Sequence, residues 1–308
     1  MPVSRNIFRF IALPSGPFWL TLVFFLFLGF SIGTAAEPFG EVPEVGDSRP
    51  AGQATPTDKV TPHKAGLIAV TIDDLPCVGI RSRTPEANLK MIADTLVAER
   101  VPATGFVVTD RGHFQALRYW QKAELDLGNH SHSHPQYSKT SIPQYLADLK
   151  KNLAIMQKEL GIDLSSGFFR YPYLDHGNSE EKVAAVADFL AERGGKLAHV
   201  SLDTVDYRFA QYYKGEKKPI AKKAYLQHLK ECTNFFSGMS RKLFGREIPL
   251  ILLLHANELN ADCLPDILAL YRSMGFHFIS LNEAVADPAY QPYLLRPPLV
   301  KCHGDRNF

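Results

Sequence analysis

Short apolar runs and helical patterns alternate along the chain from Gly66 to Pro288. Leu67–Thr71, Thr104–Val108, Leu125–Asn129, Gly167–Arg170, Leu197–Leu202, Leu250–His255 and Phe276–Ser280 are apolar enough to predict strands. Between them, apolar positions recur at helical spacing near Glu86–Glu99, His113–Ala123, Ile142–Glu159, Glu180–Arg193, Ile220–Leu243 and Leu264–Met274. Six helical segments between seven strands predict an α/β domain with a parallel sheet, because parallel neighbours need crossover connections and these are usually helices. A barrel and an open sheet both fit, and no internal repeat is visible.

The pattern stops at both ends. Arg5 and Arg9 precede a nearly unbroken apolar stretch, Phe18–Phe30, which leads into Thr34-Ala35-Ala36. A charged start, an apolar middle and small residues at the end predict a secretory signal over residues 1–36, with an uncleaved membrane anchor as the alternative. Either reading places the remainder outside the cytoplasm, in the periplasm or beyond the cell. Residues 37–65 contain Pro38, Pro43, Pro50, Pro56 and Pro62 without apolar periodicity and predict a linker. The domain proper is expected over 66–287, and 288–308 is expected to be an irregular tail packed on it or trailing from it.

Composition narrows the class. The chain has 308 residues, 45% of them hydrophobic, with 34 Lys+Arg against 32 Asp+Glu, which is enough apolar material for a full core. A net charge of +2 without a basic run gives no footprint for nucleic acid. Cys77, Cys232, Cys263 and Cys302 show no Cys-x-x-Cys spacing, so they neither form a zinc knuckle nor mark a disulfide-rich domain. The export signal leaves disulfides open, and buried small apolar residues are the other reading.

Candidate chemistry lies at the strand ends, where β/α enzymes place their sites. The first run ends in Asp73-Asp74, which alone reads equally as a turn or a helix cap. The third run ends in Gly128-Asn129-His130-Ser131-His132-Ser133-His134-Pro135. One turn of helix-like backbone would bring His130 and His134 to one side, ready to join a carboxylate on a divalent ion. A solvated polar loop is the alternative, as is an extended segment with His130, His132 and His134 on one face.

Thr71-Ile72-Asp73-Asp74, the Gly128–Pro135 segment, Arg170-Tyr171-Pro172-Tyr173, Asp203-Thr204-Val205-Asp206-Tyr207 and Leu252-Leu253-Leu254-His255 resemble, in order, the five motifs of the polysaccharide deacetylases, the NodB-like carbohydrate esterases. The resemblance covers roughly Gly66–Ala286. It implies a distorted (β/α) barrel with fewer than eight complete units. It also implies a hydrolase that removes N-acetyl groups from an amino-sugar polymer, with one divalent metal ion, zinc or alternatively Co2+ or Ni2+. Asp73 would be the catalytic base, Asp74, His130 and His134 the metal ligands, and Arg170 the group orienting the base. The backbone N–H near Tyr173 would help hold the oxyanion, His255 would be the general acid and Asp206 its charge partner.

Elementary chemistry asks for the same parts. Amide hydrolysis near neutrality needs acidified water, a base to take its proton, a donor for the developing oxyanion and an acid for the departing amine. Each remaining residue also has a plainer reading. Arg170 and Asp206 could form a structural ion pair, His255 a hydrogen-bonded core residue, and Tyr171, Tyr173 and Tyr207 either a sugar groove or half-buried core. His63, His113, His176, His199, His228, His277 and His303 are read as structural. Against the family pattern, Leu75-Pro76 replace the usual glycine after the aspartates, Ile72 the common Phe and Tyr207 the common Trp, and no aspartate follows His255. Substrate is therefore less determined than chemistry. Peptidoglycan or a chitin-like glycan is the expected partner, membrane only through the N-terminal segment, with another amide or an O-acetyl ester as alternatives. A non-catalytic carbohydrate-binding protein would be expected to show a damaged ligand set.

Overall fold

Parallel strands covered on both faces need unbroken apolar runs, and the first run meets that demand. In the computed structural model, which describes residues 66–79 and 82–297, β1 (Gly66–Leu75) is buried at every position from Ile68 to Leu75. The predicted N-terminal signal, the whole linker and Cys302 lie outside the described residues. After β1 come α1 (Pro85–Ala98), β2 (Ala103–Val107), α2 (Phe114–Lys122), β3 (Asp126–Asn129), α3 (Ile142–Leu160), β4 (Phe168–Phe169) and α4 (Glu180–Ala191). Then follow β5 (Lys196–Leu197), β6 (Leu202–Asp203), α5 (Asp206–Tyr212), α6 (Lys218–Phe244), β7 (Leu250–His255), α7 (Glu258–Ser273), β8 (Phe276–Ile279) and α8 (Leu281–Val285).

The strand order is β5-β4-β3-β2-β1-β7-β6, all parallel. β8 pairs with the first half of β1, Gly66–Ala69, and β2 takes over the same edge from Val70. The expected Leu197–Leu202 strand is instead two short pieces. β5 pairs with β4 and β6 with β7, so residues 196–203 pass from one end of the sheet to the other and the seven predicted runs curl into an incomplete (β/α) barrel. Only two residues pair on each side; beyond them the Ala198 N–H still donates to the Phe169 carbonyl at 2.8 Å and the Ser201 N–H to the Ile251 carbonyl at 3.2 Å, so the ladder is left at His199 and Val200.

Close packing explains a glycine at the barrel wall. A Cβ on Gly105 would stand 2.4 Å from the Leu75 side chain and 3.1 Å from the Trp120 ring, both fully buried. The departure at Leu75 is thus part of the core: the side chain fills space that Gly105 leaves.

Two differences from the sequence expectation lie in the helices. α7 starts at Glu258 rather than Leu264, because the Asn257 side chain caps it by accepting from the Asn260 N–H, and Pro265 sits inside the helix. α5 and α8 are additional short helices. The tail is packed as far as it is described: Tyr290 is 1% exposed and its hydroxyl donates to the Pro249 carbonyl at 2.7 Å. Cys77, Cys232 and Cys263 are not joined to one another by a disulfide.

Candidate active site

Consecutive strand residues normally point to opposite faces, so paired aspartates on a regular strand could not serve one site. β1 solves this with a bulge. Ile72 is paired with Gly105 but Leu75 with Val107, so one extra residue is inserted at Asp73-Asp74, and Asp74 takes φ +68°. Both carboxylates then face His130, whose Nε2 lies 3.7 Å from Asp73 Oδ2 and 3.8 Å from Asp74 Oδ1. Asp74, Ser131, His134, Tyr173, Leu174 and Val205 account for six of the nine non-glycine residues with positive φ among those described. All flank the barrel's candidate residues, where such backbone, at roughly 1–3 kcal/mol each, must be held by its surroundings.

The histidine segment is not the helical turn expected from its spacing. It is a loop pinned from several sides. The Ser131 N–H donates to the Asn129 side chain at 2.7 Å, and the His134 N–H to Ser131 Oγ at 3.0 Å. Asp148 of α3 accepts from the His132 and Ser133 N–H groups at 2.7 and 3.1 Å, and the buried Asn152 amide donates to the Ser131 carbonyl at 2.6 Å. This arrangement brings Asp74, His130 and His134 together, with ligand atoms within 4.8 Å of one another. His132 faces away, hydrogen-bonded to Thr109 at 2.9 Å.

The donor set fits a divalent ion. His130 Nδ1–H donates to the Arg170 carbonyl at 2.9 Å, which leaves its Nε2 lone pair aimed at the carboxylates. Burial pushes His130 down to about 4 despite the pull of Asp73 and Asp74, so the ring is neutral as a ligand must be. Burial works to raise the Asp74 carboxyl, but the His134 contact at 3.1 Å, Arg111 and His130 hold it well below the usual range. Arg111, not anticipated from sequence, donates to Asp74 Oδ1 at 2.9 Å and to its carbonyl at 2.8 Å.

Arg170 is fully buried and gives Nη1 to Asp73 Oδ1 at 2.7 Å and to Thr71 Oγ1 at 2.6 Å, while its plane lies 4.2 Å from the Phe106 ring centroid. Asp206, the first residue of α5, is also fully buried. It accepts from His255 Nδ1 at 2.6 Å, from the His255 N–H at 2.8 Å and from the Asn257 and Asn260 amides. Burial alone would lower His255, but Asp206, then Asp74 and Asp73, raise it to about 10. Neither asparagine was anticipated; Asn257 ahead of a helical pattern carried the only signal, that of a cap.

The tyrosines separate. Tyr171 is 2% exposed and stacks in a core with Tyr137 and Tyr145, which removes it from the groove. Tyr173 is 65% exposed with its ring 4.5 Å from His134, and Tyr207 is 43% exposed with its ring 6.2 Å from His255. Two exposed aromatic faces therefore flank the candidate residues.

The polysaccharide deacetylase family model matches residues 61–191. Asp206 and His255 lie beyond the matched span. Solved structures share the fold. One is a CE4 family pseudoenzyme from Bacillus anthracis, at 17% identity over 72% of this chain and 66% of that chain, TM-score 0.53. Its mutant with restored enzymatic activity gives 18%, 72%, 68% and 0.54. The peptidoglycan deacetylase PdaC from Bacillus subtilis gives 20%, 74%, 95% and 0.50. No curated protein matches the sequence.

Proposed function

We propose that the chain is a metal-dependent hydrolase that removes N-acetyl groups from an amino-sugar polymer, peptidoglycan or a chitin-like glycan, outside the cytoplasm. The observation that carries the reading is the convergence of Asp73, Asp74, His130 and His134 at one bulged strand end, beside a His255 held by Asp206. Asp74, His130 and His134 would hold one divalent ion, zinc in our reading; such an ion would act as a Lewis acid and lower the pKa of a bound water towards roughly 7.

Asp73, oriented by Arg170, takes the proton of the attacking water. The Tyr173 N–H donates towards the oxygen on which negative charge develops. His255, protonated through its contact with Asp206, gives its proton to the departing amine. The exposed rings of Tyr173 and Tyr207 suit the flat faces of pyranose rings on either side. Export rests on Arg5, Arg9 and the apolar Phe18–Phe30 stretch.

The likeness to a pseudoenzyme gives a non-catalytic carbohydrate-binding reading its place. The complete donor set weighs against it. Metal content and acetate release, measured on the same preparation with acetylated glucosamine oligomers, separate the two readings: metal with acetate supports the hydrolase, and glycan binding without acetate supports the binding protein.

A further inference from the structure

At the break between β5 and β6 the Ala198 N–H still donates to the Phe169 carbonyl at 2.8 Å, and two backbone carbonyls turn to Arg170. The Ala198 and His199 carbonyls, which lie in that break, accept from Arg170 Nε at 3.3 Å and Nη2 at 3.2 Å. The guanidinium therefore has one edge fixed by the break and the other on Asp73.

The break is in turn held from outside the barrel. His199 Nε2–H donates to the Tyr293 carbonyl, and the Leu197 N–H donates to the Leu294 carbonyl at 2.6 Å. Tyr290, buried and bonded to Pro249, anchors the segment that presents those carbonyls. A continuous line of hydrogen bonds runs from the segment after α8, through His199 and Arg170, to Asp73. We propose that the 289–294 segment is a strap and that His199 is a positioning residue, which fixes Arg170 and through it the orientation of Asp73. The proposal rests on Asp73 being the base.

Physical reasons favour a positional effect. Asp73 and Arg170 keep their own ion pair without the strap, but a guanidinium freed at one edge can rotate, and a misplaced base loses rate steeply. His199 touches no candidate metal ligand, so metal binding should be untouched. Burial holds the His199 ring at about 4, so it is neutral at working pH and donates through Nε2.

The test uses the full-length protein loaded with zinc. His199→Leu keeps bulk and removes the donor, and His199→Gln keeps a donor of similar reach. We expect His199→Leu to lose about 10- to 100-fold in kcat, with KM within about two-fold and zinc content unchanged, and His199→Gln to recover most of the loss. If His199→Leu does not fold, His199→Asn, whose amide is too short to reach Tyr293, should show the same loss. Near-normal kcat in the donor-less variant, alongside an inactive Asp73→Asn, overturns the strap. A fully active Asp73→Asn overturns the base assignment and the strap with it.

Discussion

Asp73 and His255 are register partners at the ends of β1 and β7, and the Ala256 N–H donates to the Asp73 carbonyl at 2.9 Å. A carboxylate and an imidazole are thereby set side by side by sheet pairing alone. What distinguishes them is the next contact: Arg170 on Asp73, Asp206 on His255. One carboxylate faces a cation and one imidazole faces an anion, which suits them to opposite proton transfers.

Metal content should follow the trio. Asp74→Ala, His130→Ala or His134→Ala should each lower zinc affinity by tenfold or more by the general logic of ligand removal, measured by competition with a chromogenic chelator. His132→Ala should keep the metal and cost about 0.5–1.5 kcal/mol of stability, the worth of its bond to Thr109. Loss of zinc in His132→Ala with retention in His130→Ala would reverse the ligand assignment.

The pH profile should report the acid. With His255 raised to about 10, activity of the free enzyme should persist through neutrality and fall as pH rises towards that value, earlier once a divalent ion on Asp74 adds positive charge nearby. Asp206→Asn removes the main partner, so the basic limb should move to lower pH. His255→Ala should lose roughly 10²- to 10⁴-fold in kcat with metal retained. A basic limb unmoved in both variants would take the acid role from His255.

Stability should depend on the buried Arg170–Asp73 pair at 2.7 Å. Arg170→Ala strands a buried carboxylate and should cost about 3–5 kcal/mol in urea unfolding. A cost under about 1 kcal/mol would mean that water or a neighbour replaces the guanidinium.

Processing of the N-terminus is checked by mass spectrometry of the exported protein. A mature terminus near Glu37 is expected from the small residues that end at Ala36. An intact Met1 or Pro2 terminus in the membrane fraction would establish an anchor instead.

The sequence made much of this legible, and its limits have physical reasons. Strand runs such as Leu250–Leu254 were visible because burial on both faces demands unbroken apolar residues. Asp73, Asp74, His130 and His134 were visible as rare residue types at strand ends. The bulge that lets neighbouring aspartates share a site has no sequence period, and neither has the loop that replaced the expected helical turn. Arg111 and His199 act across distant chain segments, so no local spacing marks them. The split of the 196–203 run follows from barrel closure, which local apolar content does not encode.

The central claim is that metal and protein carboxylates together hydrolyse an acetylated glycan. The most direct measurement is acetate release from a panel of acetylated glucosamine oligomers and peptidoglycan, with zinc-loaded protein, after chelation and after zinc is restored. The account predicts release that chelation abolishes and zinc restores, and none from Asp73→Asn. Release that survives full metal removal, or zinc-loaded protein that binds the glycans and frees no acetate, would contradict it.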